Sequence, residues 1–513
     1  MLDTCSRKAN PIGTVTHNTP LRLLHLALMI VAFGFIVVYV VIAMSRLTFP
    51  YDIQWMEGGM VDHVRRIMAG EPLYVAPDVD FTPYIYTPFY FYVSAAVSTV
   101  TGVGLFQLRL VSLFASLVSF ALIGALVRHE TRNTFAAIVS VGLFSATFVL
   151  GGAWFDLARN DTLMLALVLG GMYVAKVVDS WRGVVMSAVL FTLAGLTKQT
   201  ALAIAIAIAV YYALTNWRYG LAFVAIFGGL TLAFTLALDS ASNGWYTYYA
   251  FDLPGQHPWV WAMLVDFWRL DLAPVIVAGG VGLIYLLTIW RDSWRNFLFY
   301  GLLAGAMIGS AWLSRLHEGG YINVLIPAFA MIAITFGLGV DRLAKLTFIT
   351  RHPSRLVMIY ALCLVQFALL IYTPADHMPT SADRAAGEHV VETIRNIDGD
   401  VWMVHHGYIS YRAGKDAIFA HRMALEDVMR GTDTQIRDAL AENIQQAIAE
   451  QRFSAIIFDG SRDDFILVDY YFANLQEFYV GVGEILPEEF DGALWSRTGL
   501  PVRPYYIFVP ISG

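Results

Sequence analysis

Long stretches without charged residues recur through the first three-quarters of the chain, and they leave few folds open to it. Each approaches the roughly twenty residues that a helix needs to cross the hydrocarbon core of a bilayer. They are residues 23–45, 135–155, 219–238, 272–290, 296–314, 321–340 and 356–374. The chain is 58% hydrophobic and 14% charged, whereas soluble domains are about a quarter charged. The pattern predicts an all-α polytopic membrane protein.

The number of crossings depends on two less regular stretches. Residues 89–100 are short for an ordinary crossing, while 183–216 is interrupted only by Lys198, which favours two short helices over one. We predict roughly eleven to thirteen transmembrane helices. Basic Arg7 and Lys8 precede the first stretch and no small-residue cleavage site follows it, so we expect an uncleaved first helix.

The charges are unevenly distributed along the chain. Residues 374–513 carry 22 acidic and 11 basic side chains, a balance of −11; because the whole chain is −7, residues 1–373 balance at +4. Short basic clusters at 128–132, 291–295 and 342–355 indicate cytoplasmic loops under the positive-inside rule. The basic excess therefore records membrane orientation, and we expect no nucleic-acid partner.

This orientation divides the chain into three predicted parts. We expect a cytoplasmic N-terminal tail at 1–20 and a transmembrane domain at 21–375, whose first external loop is 47–87. A soluble domain at 376–513 then lies outside, which in a bacterium means that it is on the periplasmic side of the inner membrane. Apolar runs at 401–404, 455–458 and 506–509 predict buried strands, and residues 433–451 predict an amphipathic helix. We therefore predict that this is a small α/β domain.

Ionisable residues at membrane depth are costly and by default suggest a functional site. Asp52 and Glu57 follow the first helix, and a carboxylate at a membrane boundary suits a general base that takes a proton from a nucleophile. The alternative is that both are solvated loop acids or helix caps. Arg159 and Asp161 lie between two later helices and can face the same polar cavity, although Asp161 also suits a helix N-terminus.

Two further groups suit an anionic ligand. Lys198 lies between two apolar helices, where its compact positive charge fits a phosphate, or where it extends to the interface as a snorkelling side chain. Arg315 and His317 precede a glycine pair that permits close backbone approach to a phosphate. An ordinary capped loop is the alternative there. No cofactor follows from the pattern, and a divalent cation stays open because His317 and Glu318 are both metal-ligating types.

At these residues the chain resembles the GT-C superfamily of membrane glycosyltransferases, in particular bacterial relatives of protein O-mannosyltransferases and of the lipid A aminoarabinose transferase. The resemblance covers about residues 21–375 and rests on the order of short motifs. These are Glu57-Gly58, Gly70-Glu71-Pro72-Leu73-Tyr74, Tyr86-Thr87-Pro88, Arg159 with Asp161, Lys198, and Gly319, Gly320, Asn323 and Pro327.

The resemblance implies an inverting transfer of a sugar from a polyprenyl-phosphate donor to a cell-envelope acceptor, which is a glycan, a glycolipid or a protein. It implies an external carboxylate as base. Many relatives have two adjacent acids there, whereas this chain has Met56 before Glu57 and its other acid at Asp52, so the base is open between the two. The residues that the resemblance and the polar groups assign to substrate binding are Tyr86, Arg159, Asp161, Lys198, Arg315, His317 and Asn323.

Two other functions fit parts of the pattern. A transporter or flippase of lipid-linked sugars explains polar residues at membrane depth, but the sequence shows no inverted repeat of the kind common in such folds. A non-catalytic scaffold for envelope assembly explains the acidic tail, but it leaves the buried charged residues without a use.

Overall fold

The computed structural model describes residues 19–460 and 469–511. All but the last two residues of the predicted cytoplasmic tail lie outside this part of the chain. Up to residue 368 the described chain is mostly helical. The helices are α1 (Thr19–Leu47), α2 (Glu57–Ala69), α3 (Phe89–Thr101), α4 (Leu105–Thr131), α5 (Thr134–Ala146), α6 (Asp161–Val177), α7 (Trp181–Thr197), α8 (Ala201–Thr215), α9 (Trp217–Ala241), α10 (Ile276–Ile289), α11 (Trp294–Arg315), α12 (Ile326–Lys345) and α13 (Pro353–Ala368).

Local chemistry sets several of these helix ends. Asn133, Ser180 and Ser293 precede α5, α7 and α11, and each side chain accepts a hydrogen bond from a backbone N–H group of the first turn. Gly70 ends α2 in the left-handed conformation (φ 75°), which glycine adopts without strain. Lys198 has extended backbone between α7 and α8, so the two short helices predicted for 183–216 are confirmed.

The chain between α9 and α10 is irregular. It consists of short helical turns at Trp245–Thr247, Tyr248–Asp252, Leu253–Gln256, Met263–Asp266, Phe267–Asp271 and Ala273–Val275. Tyr248–Asp252 and Phe267–Asp271 are π-helical, a geometry that is frequent at functional sites. Further short turns lie at Ile322–Leu325, Thr347–Thr350 and Pro374–His377.

The prediction of a mostly helical membrane protein with several apolar helices is confirmed. By length and composition, five described segments can cross a bilayer: α1, α4, α9, α11 and Ile322–Lys345. Met263–Asp271 and Ala273–Ile289, bent by 40°, add a sixth if they form one span, and α3, α5, α7, α8 and α13 are shorter apolar helices. The predicted total of roughly eleven to thirteen crossings needs these shorter helices as well.

The C-terminal part holds the small sheet that the sequence predicts. It contains α14 (Ser381–Arg395), β1 (Val401–Met403), α15 (Gly407–Arg412), α16 (Arg422–Arg430), α17 (Thr434–Ala449), β2 (Ala455–Asp459), a turn at Leu475–Phe478, β3 (Tyr479–Glu484), a turn at Glu488–Phe490 and β4 (Pro504–Pro510). The strand order is β1-β2-β4-β3, with β1 and β2 parallel and the other pairs antiparallel. Strand β3 is the one that the sequence does not predict.

An apolar core joins the loop after α1 to this C-terminal part. Trp55, Met60 and Tyr84 of the loop belong to one buried cluster with Trp402 and Leu425. Helix α2 packs on α15 and α3, and its residues 57–64 are buried. Protein therefore covers the apolar face of α2.

Candidate functional site

One cavity of about 900 Å³ lies between the helical part and the C-terminal part. Its walls come from the loop after α1, the loop before α6, the chain between α7 and α8, the irregular segment before α10, the loop after α11, and α16. Six of the nine site residues predicted from the sequence line it: Tyr86, Arg159, Lys198, Arg315, His317 and Asn323. Distant parts of the sequence therefore meet in one cavity.

Arg159 is buried and faces this cavity. Its Nη2 donates to the Tyr86 hydroxyl at 2.5 Å and its Nη1 to the Met56 sulfur at 2.9 Å, while the Trp154 ring lies 4.6 Å from the guanidinium carbon. Its Nε atom is buried and makes no hydrogen bond to any described group. Among residues 19–460 and 469–511, no carboxylate lies within 4 Å of its nitrogen atoms.

Lys198 is held against Asp161, which lies behind the cavity wall. Its Nζ is 2.6 Å from Asp161 Oδ1, and the Asn323 amide donates to the same oxygen at 2.8 Å. The other oxygen of Asp161 is buried without a partner in the described part of the chain. The structure thus brings these three predicted residues together, with the lysine and the amide exposed to the cavity.

Arg315 is likewise held by a carboxylate. Its Nε is 2.7 Å from Asp271 Oδ2, and its Nη1 donates to the Gly320 carbonyl at 2.5 Å. Nearby, the His317 ring lies 4.6 Å from the Trp259 ring, and burial lowers the pKa of His317. Arg315 therefore adds charge to the rim of the cavity while keeping a protein partner.

Glu57 is buried next to the cavity and is not among its lining residues. Arg109 donates from Nε to Oε1 (2.8 Å) and from Nη2 to Oε2 (2.6 Å), and the Ile53 and Ala158 N–H groups add bonds of 2.8 Å each. Burial raises the pKa of Glu57, but Arg109 and these N–H groups more than offset it and hold that pKa below its usual value. Both oxygens are occupied, as in a structural anchor.

Asp52 is also buried and, like Glu57, is not among the lining residues, although Gln54, two residues later, is. Its Oδ2 accepts a hydrogen bond of 3.0 Å from His406 Nδ1, and His406 Nε2 is 2.9 Å from Asp459 Oδ2. Asp52 Oδ1 is buried and has no hydrogen-bond partner among the described groups. Burial raises the pKa of Asp52 above its usual value, against the opposing hydrogen bond from His406.

The sheet explains why His406 and Asp459 meet. β1 and β2 run parallel, so their carboxyl ends lie at the same edge of the sheet. His406 follows β1 and Asp459 ends β2. Burial alone lowers the pKa of His406, but Asp459 and Asp52 raise it to about 10, so the ring is an imidazolium at neutral pH.

The part of the chain that the structure describes shows no cluster of metal-ligating side chains. No group of three or more His, Cys, Asp or Glu side chains among residues 19–460 and 469–511 is arranged to hold an ion. Glu318 instead lies 3.5 Å from Arg430.

Three residues at or near the site escape the sequence analysis. Asp427 and Arg430 of α16 line the cavity, but they come from the C-terminal part, whose motifs gave no indication of a site. Arg109 lies in α4, inside an otherwise apolar stretch. A single arginine in an apolar helix indicates that it has a buried partner. The sequence of α16 contains no comparable indication that this helix lines a site.

Part of the sequence matches a known family. The family model described as dolichyl-phosphate-mannose-protein mannosyltransferase matches residues 85–241. This segment includes the predicted site residues Tyr86, Arg159, Asp161 and Lys198. No curated protein sequence matches the chain.

The structure is also similar to solved proteins. ArnT from Cupriavidus metallidurans bound to undecaprenyl phosphate has 14% sequence identity and a TM-score of 0.56, over 93% of this chain and 98% of that one. The same protein in the apo state gives 14% and 0.55 over the same shares. This likeness at low identity establishes the fold, and with the matched segment it confirms the resemblance: the chain has the fold of the GT-C membrane glycosyltransferases.

Proposed function

We propose that this protein transfers a sugar from a polyprenyl-phosphate donor to a hydroxyl group of a cell-envelope acceptor, at the outer face of the bacterial inner membrane. The observation that carries the proposal is Arg159. It is a buried guanidinium that faces a large cavity and has no carboxylate within 4 Å among the described residues. Asp161 offsets its charge from beyond that distance, and a buried charge without a close ion-pair partner is costly, so the cavity suits an anion.

A lipid-linked phosphate suits this anion site better than a free one. Lys198 and Arg315 extend the positive charge of the cavity, each with a carboxylate behind it that limits the net charge. Both residues adjoin apolar helices, α8 and α11, and a polyprenyl phosphate keeps its tail in lipid with its phosphate at the boundary. The family name, which specifies a dolichyl-phosphate sugar, and ArnT bound to undecaprenyl phosphate support this class of donor.

Of the two loop carboxylates, Asp52 is the better base. Arg109 and backbone N–H groups occupy both oxygens of Glu57, whereas Asp52 keeps Oδ1 unsatisfied and its pKa is raised, which makes it the stronger proton acceptor of the two. In the proposed reaction the acceptor oxygen bonds to the anomeric carbon while the bond from that carbon to the phosphate oxygen breaks. The hydroxyl proton passes to the carboxylate, and the electron pair leaves with the polyprenyl phosphate. A single displacement of this kind inverts the anomeric carbon.

The test uses the full-length protein in lipid nanodiscs with a panel of radiolabelled polyprenyl-phosphate sugars. We expect the wild type to bind at least one donor and Arg159→Gln to bind it at least tenfold more weakly, about 1.4 kcal/mol. Arg159→Lys keeps the charge and recovers part of the affinity. Arg269→Gln is the matched control, because its side chain is 71% exposed.

Two outcomes contradict the proposal. Unchanged donor binding in Arg159→Gln removes the phosphate site. Movement of the intact donor across proteoliposome membranes, without cleavage of its sugar–phosphate bond, identifies a flippase instead.

A further inference from the structure

One wall of the cavity comes from α16 in the C-terminal part. Arg422, Met423, Glu426, Asp427 and Arg430 all lie on the side of this helix that faces the cavity. This wall adjoins the loop after α11, because Arg430 Nε lies 3.5 Å from Glu318, and it belongs to the part of the chain with a small sheet and acidic composition.

Asp427 is the least satisfied carboxylate of the wall. Its side chain is 2% exposed, and its Oδ1 atom is buried without a hydrogen bond to any described group. The nearest cations are Arg430 Nη1 at 3.6 Å and His257 Nε2 at 3.9 Å, both beyond hydrogen-bond distance. A buried carboxylate oxygen without a donor costs free energy unless a ligand supplies one.

Arg430 presents a matching donor beside it. Its Nη1 atom is buried and makes no hydrogen bond in the described chain. The rest of the guanidinium is oriented by Glu426, 3.2 Å from Nη2, and by Glu318, 3.5 Å from Nε. The wall therefore presents one hydrogen-bond acceptor, Asp427 Oδ1, and one donor, Arg430 Nη1. These two atoms lie 3.6 Å apart and are fixed relative to each other.

The helix that carries this pair is itself held in place. His257 lies 3.1 Å from the Asp427 carbonyl oxygen, and the Gln256 side chain accepts from the N–H groups of Thr432 and Asp433, just after α16. The Asp427–Arg430 pair is thus preorganised, and a ligand does not bear the cost of ordering it.

We propose that Asp427 and Arg430 bind neighbouring hydroxyl groups of a carbohydrate acceptor, so that the acceptor of this protein is a glycan rather than a protein side chain. Each hydroxyl of a sugar ring both donates and accepts, so two adjacent ones satisfy the carboxylate and the guanidinium together. The single hydroxyl of a serine or threonine side chain is the group that reacts at the anomeric carbon, so such an acceptor brings no further side-chain hydroxyl to this pair. Met423 and Met429 line the same wall and supply apolar contact for a ring face.

The acceptor site presupposes the proposed glycosyl transfer, so the experiment measures donor use and acceptor use separately. Full-length protein in nanodiscs receives the active polyprenyl-phosphate sugar with either a panel of methyl glycosides or a peptide containing serine and threonine. Three quantities are measured: donor affinity, donor hydrolysis without an acceptor, and the KM for each acceptor. The variants are Asp427→Asn and Arg430→Gln, with Asp438→Asn as the control, because Asp438 is 56% exposed on α17.

We expect Asp427→Asn and Arg430→Gln to raise the KM for the glycoside at least tenfold. Donor affinity and donor hydrolysis should stay within about twofold of wild type, which also shows that both variants are folded. If both variants keep the wild-type KM for every glycoside, or if the wild type transfers the sugar to the peptide alone, the proposed acceptor site is wrong. The proposed function still stands in that case. A wild-type protein that neither binds nor cleaves any donor overturns both.

Discussion

The imidazole of His406 donates a hydrogen bond of 3.0 Å to the carboxylate of Asp52, across 354 positions of sequence. The same ring bonds Asp459, so one buried cation joins the loop after α1 to two neighbouring strand ends of the sheet. Asp52 is thereby fixed through Oδ2 while Oδ1 is left for another partner. The C-terminal part therefore positions the carboxylate that we propose as the base.

Removing this cation should destabilise the protein. We expect His406→Gln to lower the free energy of unfolding by about 3–5 kcal/mol, because it leaves buried carboxylates without their partner. The stabilisation that protonated His406 gives the wild-type fold is fully present below pH 6.5. It is lost as the pH rises towards 10, since the folded state raises the pKa of His406 to about 10. Thermal unfolding across this pH range checks both points. His352→Gln, an exposed histidine, is the control, and an equal pH slope in His406→Gln and wild type contradicts the assignment.

The two loop carboxylates should respond differently to loss of charge. Asp52→Asn should reduce kcat by about 10²–10⁴ while donor affinity is kept, as for a general base. Glu57→Gln should chiefly reduce stability, because Arg109 loses its buried partner. Single-turnover transfer and thermal unfolding of both variants distinguish these effects. Normal transfer in Asp52→Asn together with lost transfer in a folded Glu57→Gln would move the base to Glu57.

The cations of the cavity should differ in their effect on the donor. Lys198→Ala should weaken donor affinity by about tenfold, about 1.4 kcal/mol, and Lys198→Arg should keep part of it. Arg315→Ala should have a similar effect, and neither should exceed that of Arg159→Gln, because Asp161 and Asp271 already neutralise Lys198 and Arg315. Titrating each purified variant with the same donor measures its donor affinity and so ranks the three side chains by their effect. Equal, near-normal affinities in all three would mean that these side chains serve structure alone.

Asp427 should make acceptor binding depend on pH. Burial raises its pKa to about 7, although Arg430 opposes the rise; Glu426, Glu318, His257 and Arg159 are the other charged or titratable groups near it. The ionised carboxylate accepts hydroxyl bonds, so the KM for the acceptor should fall as the pH rises through about 7. The stability that the neutral form contributes is present below about pH 4 and is lost as the pH rises through 7. In Asp427→Asn both trends should disappear, and their persistence there would assign them to another group.

Membrane orientation can be tested on the C-terminal part. Asp491 is 85% exposed, whereas Cys363 is buried. In a Cys5→Ser background, Asp491→Cys should react with a membrane-impermeant maleimide added to cells with a permeabilised outer envelope. Labelling that requires disruption of the inner membrane would place this part, and the cavity beside it, in the cytoplasm.

The sequence predicts the helices well because apolar runs of sufficient length have few alternatives in a bilayer. It also predicts β1, β2 and β4, which contain continuous apolar residues; β1 and β2 are buried and most of β4 is half-buried. β3 escapes because most of it is exposed and Gly481 and Gly483 interrupt its pattern. The roles of Asp427 and His406 depend on which surfaces the fold brings together, and no local pattern encodes that.

The buried cluster that joins Trp55, Met60 and Tyr84 to Trp402 and Leu425 has a consequence for how the gene product can be divided. A chain shortened to its membrane helices would leave these side chains facing water, as an adhesive apolar patch beside the bilayer. During synthesis the apolar side chains of the loop stay exposed until the last quarter of the polypeptide has been made. During that interval the uncovered apolar side chains make the chain prone to aggregation.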